Sequence, residues 1–126
     1  TLLLVNADFM AKAKRARKIL CGAMRQTGII AAAGLYALEN NVERLAEDHA
    51  NAERLARGLR EAGYEVDGPH TNMVFVRISS DRVLPLKEKL ARENILVLPG
   101  PRLRLVTHLD VDAAAIERAL DAFRWS

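Results

Sequence analysis

The second half of the chain alternates strand-like runs with helical segments, and this alternation restricts the fold more than any other feature. The strand-like runs are "YEVDG", "NMVFVRI", "ILVLPG" and "LRLVTH". One helix is predicted between the second and third runs, ending near Glu93, and another follows the fourth run. Together they predict an α/β or α+β fold in which helices lead into a small β-α-β-β-α layer.

The first half is predicted to be helical after a short strand, "TLLLV". One helix runs from about Phe9 to Leu20, and a second covers "IIAAAGLYALENN". The second is apolar around its whole circumference, which is typical of a helix buried in a core or at a subunit interface. A third, amphipathic helix begins near Val42 and ends before Gly63, a residue suited to a helix C-terminus.

The third helix carries an apolar stripe at three- and four-residue spacing. The stripe comprises Val42, Leu45, His49, Ala52, Ala56 and Leu59. Because His49 lies on it, we interpret this histidine as a packed side chain rather than a ligand. Side-chain caps are expected at the other helix starts, from Asn6 or Asp8, from Ser79, Ser80 or Asp81, and from Asp110 or Asp112.

Composition narrows the class of protein. The chain has 126 residues, of which 50% are hydrophobic and 28% charged, as expected for one folded domain rather than a disordered segment. The net charge of +3 does not indicate a nucleic-acid or membrane partner. The single cysteine, Cys21, fits a reducing cytoplasm. The longest uncharged stretch, Gln26 to Leu38, is shorter than the ~20 residues that a membrane helix requires.

Common catalytic signatures are missing from the sequence. It has no cysteine or histidine spacing typical of a metal site, no phosphate-binding Walker loop, no dinucleotide-binding glycine motif and no nucleophile elbow. What remains is a tendency to bind anions. The first helix carries five cations and Arg25 lies in a glycine-framed turn, but the helix could equally present a solvated basic face. Its cations are Lys12, Lys14, Arg15, Arg17 and Lys18.

Arg104 interrupts the apolar run "LRLVTH". If the pleat is regular, Leu103, Leu105 and Leu109 share one side of the strand, and this side faces the core. The other side carries Arg102, Arg104, Val106 and His108, and it either faces solvent or lines a binding site. Alternation alone favours solvent, because edge and surface strands commonly carry charge.

Three segments then identify a resemblance: "GAMRQTGIIAAAGLYALENNVERLAEDHANAERLARGL", "TNMVFV" and "LRLVTHLDV". In this order they closely resemble the C-terminal part of the low-specificity threonine aldolases, pyridoxal-phosphate (PLP) enzymes grouped with the β-eliminating lyases. The resemblance extends from about Thr1 to Phe123. It implies the small domain of a fold-type I PLP enzyme and a lyase that cleaves threonine or allo-threonine to glycine and an aldehyde.

The resemblance also implies residue roles. Arg104 matches the arginine that binds the carboxylate of the β-hydroxy-α-amino acid substrate. Lys18 and Arg25 match a lysine and an arginine near the cofactor phosphate, reached across a subunit interface. Asn72 and His108 match family positions to which we assign structural roles only.

Two departures from the family pattern matter. The family has three glycines before Met-Arg-Gln, whereas this chain has Cys21, Gly22 and Ala23, and a β-carbon at position 23 alters a loop expected beside the phosphate. The lysine that carries the cofactor in this family precedes the segment matching "TLLLV" and is expected upstream of Thr1. We therefore assign no catalytic residue and no metal ligand, and expect the isolated chain to be inactive.

The expected organisation is the end of a large domain and a connecting helix over residues 1–40, followed by a small domain over residues 41–126. Apolar surface from "TLLLV" and "IIAAAGLYAL" would be exposed in such a fragment or truncated gene product, which predicts a homo-oligomer. No nucleic-acid or membrane partner is expected. The alternative hypothesis is a non-catalytic, stand-alone interaction module with the same fold.

Overall fold

The computed structural model describes residues 5–98 and 100–124. The strand predicted at "TLLLV" falls on residues 1–4 and so lies outside this range, except for Val5. Within it are five helices and three strands: α1 (Ala7–Ile19), α2 (Gly28–Asn40), α3 (Leu45–Glu61), β1 (Glu65–His70), β2 (Met73–Arg77), α4 (Val83–Arg92), β3 (Arg102–Val106) and α5 (Ala113–Phe123). This is a mixed α/β protein, as the sequence predicts.

The chain divides into two compact units between Glu43 and Arg44. The first unit contains α1 and α2. The Asn6 side chain caps α1 by accepting a hydrogen bond from the amide of Phe9 at 2.9 Å, as the sequence allows. Neither helix has a buried residue, so α2 presents apolar side chains around its whole circumference without a covering surface in this structure.

The second unit contains α3 to α5 and a three-stranded antiparallel sheet of order β1-β2-β3. Its elements follow the order β-β-α-β-α and not the predicted β-α-β-β-α. The runs "YEVDG" and "NMVFVRI" both form strands before α4, and after α4 only "LRLVTH" does so among the described residues. In the run "ILVLPG", residues Ile95 to Leu98 are irregular, and Leu96 and Leu98 are 88% and 87% exposed. Hydrophobic, β-branched composition misled the prediction, because such composition favours a strand only where a partner edge accepts it.

One face of the sheet packs against helices α3 and α5 and forms the core. At its centre are large, fully buried side chains: Phe123, Leu59, Leu90, Ile116, Val74 and Val76. Tyr64 closes the core edge-on against Phe123, with ring centroids 5.6 Å apart, and its hydroxyl donates to the Phe123 carbonyl at 2.8 Å. Among the described residues, every buried side-chain nitrogen or oxygen has a hydrogen-bond partner, as a stable core requires.

The buried face of α3 differs from the predicted stripe in its first turns. Ala52, Ala56 and Leu59 are buried as expected, but His49 is exposed and Asp48 takes the inward position. Asp48 is buried because Arg44 donates two hydrogen bonds to its Oδ1, at 2.9 and 2.7 Å. A satisfied buried acid is invisible to a hydropathy pattern, so the interpretation of His49 as packed is wrong.

A chain of hydrogen bonds fastens the end of β3 to α3 and β2. Thr107 is buried, and its hydroxyl donates to the Asp48 carbonyl at 2.7 Å. The Asn72 side-chain amide donates to the Thr107 carbonyl at 2.8 Å, and the Thr107 amide donates to the Asn72 carbonyl at 3.0 Å. These bonds fix the direction in which β3 leaves the sheet, and therefore the orientation of the side chains along it.

Helices α4 and α5 differ in whether a side chain caps their N-terminus. Asp112 caps α5 by accepting a hydrogen bond from the Ala115 amide at 2.7 Å, one of the two caps the sequence offers. For α4 the predicted caps at residues 79 to 81 are wrong: the N-cap position is Arg82, and no side chain caps it. No described helix is long and apolar enough to cross a membrane.

Candidate carboxylate-binding site

Arg104 lies at the centre of β3, on the face of the sheet opposite the core. Leu103 is 2% exposed and Thr107 is buried on the core side, whereas Arg104 is exposed. The alternation inferred from the sequence is therefore confirmed for this strand. It fails at Leu109, which is exposed because the strand has ended at Val106.

We call this opposite side the outer face, and strand register arranges its side chains in rows. One row joins Asp67, Phe75 and Arg104, because Asp67 pairs with Phe75 and Phe75 pairs with Arg104. The neighbouring row joins Glu65, Arg77 and Arg102 in the same way. The outer face therefore carries three arginines and two carboxylates around one aromatic ring.

Arg102 is held by two contacts. Its Nη2 donates to Oδ2 of Asp67 at 3.0 Å, reaching diagonally across the sheet. Its guanidinium carbon lies 4.3 Å from the centroid of the Phe75 ring, within the range of a cation–π interaction. An arginine with both an aromatic and a carboxylate partner is less available to a ligand.

His70 occupies the other oxygen of the same carboxylate. Its Nε2 lies 3.0 Å from Oδ1 of Asp67, so both carboxylate oxygens have a partner. The hydrogen bond with His70 is the main cause that lowers the pKa of Asp67 below the ordinary value of 3.8. Desolvation opposes it, and the charge of His70 and the contact with Arg102 lower the pKa further. Asp67 is therefore charged at neutral pH.

Arg77 is paired as well, since its Nε lies 3.1 Å from Oε1 of Glu65. Both outer-face carboxylates, Glu65 and Asp67, thus already have cationic partners. Within the described ranges no ion pair involves Arg104. Of the three outer-face arginines, Arg104 is the one whose guanidinium has no carboxylate against it.

A groove of about 670 Å³ runs along the open edge of β3 beside Arg104. Its polar lining comes from Arg102, Arg104, Thr107 and His108, whereas Leu96, Leu98 and Val106 contribute apolar surface. His108 faces Asp110, with 3.6 Å between Nδ1 and Oδ2. An unpaired guanidinium beside apolar walls suits a small organic carboxylate, because its planar fork binds both oxygens at once.

The other two predicted site residues belong to the first unit. Lys18 lies in the last turn of α1, Arg25 lies in the turn before α2, and both are exposed. The connection between them is tight: Cys21 and Gln26 have positive φ angles of 56° and 52°, and a Cβ at Gly22 would lie 3.2 Å from Cγ of Arg17. A side chain at position 22 would therefore fit only if Arg17 moved by a few tenths of an ångström.

These residues are chemically suited to the phosphate of PLP, the cofactor implied by the resemblance. Arg25 supplies positive charge in the turn that precedes α2, and Lys18 supplies it at the end of α1. The first turn of α2 has no acidic side chain, and Thr27 makes no side-chain cap. Cations together with the free amides of a helix N-terminus are a common phosphate-binding combination. The described residues hold no cluster of three His, Cys, Asp or Glu that could bind a metal ion.

Sequence reasoning placed Arg102 and Arg104 on one side of their strand but missed Asp67 and Phe75 beside them. Alternation in "EVDG" and "MVF" signals that Asp67 and Phe75 share the polar side of their strands. That signal does not give the register between strands, which depends on the turn and on the irregular pairing between Asp67 and His70. The neighbours of Arg104 therefore required the folded sheet.

The chain is similar in sequence to known proteins. The model of the beta-eliminating lyase family matches residues 1–81. A low specificity L-threonine aldolase of Escherichia coli K12 is 51% identical over 111 residues, covering 88% of this chain and 33% of that protein. Low-specificity L-threonine aldolase 1 of Arabidopsis thaliana is 33% identical over 132 residues, covering 98% of this chain and 37% of that protein.

A probable low-specificity L-threonine aldolase of Schizosaccharomyces pombe is 36% identical over 110 residues, covering 87% of this chain and 28% of that protein. The chain belongs to the beta-eliminating lyase family. It spans about a third of the length of these threonine aldolases.

Proposed function

We propose that this chain is the C-terminal portion of a PLP-dependent threonine aldolase, a lyase that cleaves threonine or allo-threonine to glycine and acetaldehyde. The similarity to three threonine aldolases supports the reaction. The observation that carries the proposal is the unpaired guanidinium of Arg104 on a face where the other two arginines are paired.

In this proposal Arg104 binds the α-carboxylate of the amino acid substrate through two parallel hydrogen bonds. A bidentate arginine fixes the rotation of the substrate about its Cα, and thereby selects the bond that is cleaved. The apolar side chains of Leu96 and Leu98 line the same groove beside the pair. Lysine at position 104 would supply the charge but not the fork.

Lys18 and Arg25 would hold the phosphate of PLP. When bound, the cofactor supplies an electron sink for the cleavage of the Cα–Cβ bond. None of the lysines here matches the family's cofactor-carrying lysine, so these 126 residues alone are proposed to be inactive. We propose residues 1–40 as the end of a large domain with its connecting helix, and residues 41–126 as the small domain, in a cytoplasmic enzyme.

The exposed apolar side chains of α2 support association with a second copy or with the rest of the enzyme. Ile29, Ile30, Leu35 and Tyr36 are all more than half exposed. Such contiguous apolar surface marks protein interfaces. We therefore propose a homo-oligomer, in which this helix contributes to the contact between subunits. A monodisperse monomer of the full-length enzyme in analytical ultracentrifugation would contradict it.

The test of the function compares Arg104→Lys with Arg77→Lys in the full-length enzyme that contains this chain. We expect kcat/KM for threonine cleavage to fall by about tenfold to a hundredfold for Arg104→Lys, because a charged hydrogen bond is lost. Arg77→Lys, on the same face but paired with Glu65, is expected to stay within about twofold. Equal effects of the two substitutions, or no threonine cleavage by the unaltered enzyme, would contradict the proposal.

A second measurement addresses the isolated chain. After incubation with PLP and reduction with borohydride, the 126-residue polypeptide should show no stoichiometric labelling of a single lysine by peptide mapping. The full-length enzyme should be labelled at a lysine outside these residues. Specific labelling of the 126-residue polypeptide together with aldol cleavage would overturn the inactivity.

A further inference from the structure

The charges on the outer face do not by themselves explain why Arg104 is left unpaired. Asp67 and Arg104 lie in one row of the sheet, both in register with Phe75. They are two strands apart, roughly 10 Å between Cα atoms at the usual strand spacing, which an extended arginine can cross. Arg102 belongs to the next row, yet it is the arginine that pairs with Asp67.

Two contacts account for this choice. Oδ1 of Asp67 is taken by His70 at 3.0 Å, and Oδ2 is taken by Arg102 at 3.0 Å. A second contact holds Arg102 in place, because its guanidinium carbon lies 4.3 Å from the centroid of the Phe75 ring. The ring of His70 also lies beside Phe75, with centroids 6.2 Å apart. Each oxygen of Asp67 therefore already has a partner, and a contact with Arg104 would have to compete with His70 and Arg102.

We propose that Arg102 and His70 act as positioning residues, which occupy both oxygens of Asp67 and so keep Arg104 free for the substrate carboxylate. This inference rests on the proposed function of Arg104. Asp67 is a competing carboxylate within the protein itself, and Phe75 supplies the surface that holds Arg102 against it. The lowered pKa of Asp67 agrees with this arrangement, since both partners stabilise its charged form.

The inference predicts an unusual pattern of rescue in the full-length enzyme. Arg102→Met removes the charge but keeps an extended side chain over Phe75, so Oδ2 of Asp67 becomes available to Arg104. We expect KM for threonine to rise about three- to fivefold with kcat within about twofold, the competition expected of an exposed ion pair. Adding Asp67→Asn removes the competitor, and KM should return to within about twofold of the unaltered enzyme.

Two further variants separate this role from a general loss of structure. Asp67→Asn alone should leave KM unchanged or slightly lower, because Arg104 gains no competitor. Arg77→Met, which breaks the neighbouring pair with Glu65, should leave KM within about twofold. Adding Asp67→Asn to Arg77→Met should not change KM further. A crystal structure of the Arg102→Met variant without substrate should show Arg104 within 4 Å of Asp67, a readout independent of activity.

An unchanged KM in Arg102→Met, or a raised KM that Asp67→Asn does not restore, would overturn the inference. The proposed function would still stand in that case if Arg104→Lys lowers kcat/KM. If Arg104→Lys has no effect, the proposed function itself fails. The kinetics of Arg102→Met and of Arg104→Lys therefore distinguish a failure of this inference from a failure of the proposed function.

Discussion

The two units of this chain differ in how their hydrophobic side chains are used. In the second unit, Leu59, Val74 and Phe123 are buried between a sheet and its helices. In the first unit, α2 has no buried residue, although its sequence is more apolar than that of any other described helix. Most helical stability in proteins comes from burying one face of the helix. The second unit therefore supplies its own stability, whereas α2 requires a surface from elsewhere in the enzyme.

The comparison also separates two kinds of anion-binding group. Lys18 lies at the end of α1 and Arg25 in the turn before α2, in a unit whose two helices have no buried residue to hold them in place. Arg104 lies on a strand whose opposite face is buried and whose end is fastened through Thr107. A site on a rigid strand is positioned more accurately than one on a connection. The strand therefore holds the proposed carboxylate contact more rigidly than the connection holds the proposed phosphate contact.

The largest effect expected from this difference is on stability. Phe123→Ala removes a side chain that is 1% exposed and should lower the free energy of unfolding by about 3–5 kcal/mol, through lost burial and a cavity. Leu35→Ala in α2, at 59% exposure, should change it by no more than about 0.5 kcal/mol in the 126-residue chain. Urea denaturation measures both, and similar losses for the two variants would contradict the contrast between the units.

Replacing either of two helical glycines with alanine should have a smaller effect on stability, and the two effects should have opposite signs. A Cβ at Gly58 of α3 would lie 2.6 Å from both methyl carbons of the buried Leu120, so Gly58→Ala should destabilise by about 1–3 kcal/mol. A Cβ at Gly28, where α2 begins, meets nothing within 4 Å, so Gly28→Ala should stabilise by about 0.4–1 kcal/mol.

Thermal unfolding of the two variants gives the signs. A stabilising Gly58→Ala would mean that α3 and α5 are farther apart than described. A destabilising Gly28→Ala in the 126-residue chain would show that the start of α2 is already covered.

The smallest effect concerns pH and the outer face. Because the pKa of Asp67 is lowered in the folded protein, its ion pairs contribute stability above the ordinary value of 3.8, and this contribution is lost as pH falls through the lowered pKa. The ¹³C shift of the Asp67 carboxyl, followed by NMR titration, should give a midpoint below 3.8.

His70→Gln and Arg102→Met should each raise that midpoint, and His70→Gln should raise it more, since the hydrogen bond with His70 is the larger cause. An unaltered protein that titrates at or above 3.8 would contradict the contacts described for Asp67.

The sequence predicted the parts of this fold that depend on local pattern. Helix α5 and its cap at Asp112 follow from spacing and residue type, as do the two faces of β3. The irregular run at Ile95 to Leu98 did not follow, because its composition is that of a strand and only the missing edge partner distinguishes it. Asp48 also escaped prediction, since its burial depends on Arg44 and not on hydropathy.

The same division holds for the site. Arg104 could be placed on the polar side of its strand by alternation, and a family resemblance gave it a carboxylate partner. The reason it is unpaired could not be read from the sequence, because Asp67 and Arg102 are 35 residues apart and meet only through strand register. Contacts of this kind depend on tertiary pairing, which a one-residue shift of register would abolish.

The most direct test of the account is whether Arg104 recognises a carboxylate. The absorbance of the bound cofactor can report ligand binding to the full-length enzyme and to its Arg104→Gln variant. It should be used to measure the dissociation constants of glycine and of ethanolamine, which lacks the carboxylate. Arg104→Gln should weaken the binding of glycine about tenfold to a hundredfold and leave the binding of ethanolamine unchanged. Equal weakening of both ligands, or unchanged binding of glycine, would contradict carboxylate recognition by Arg104.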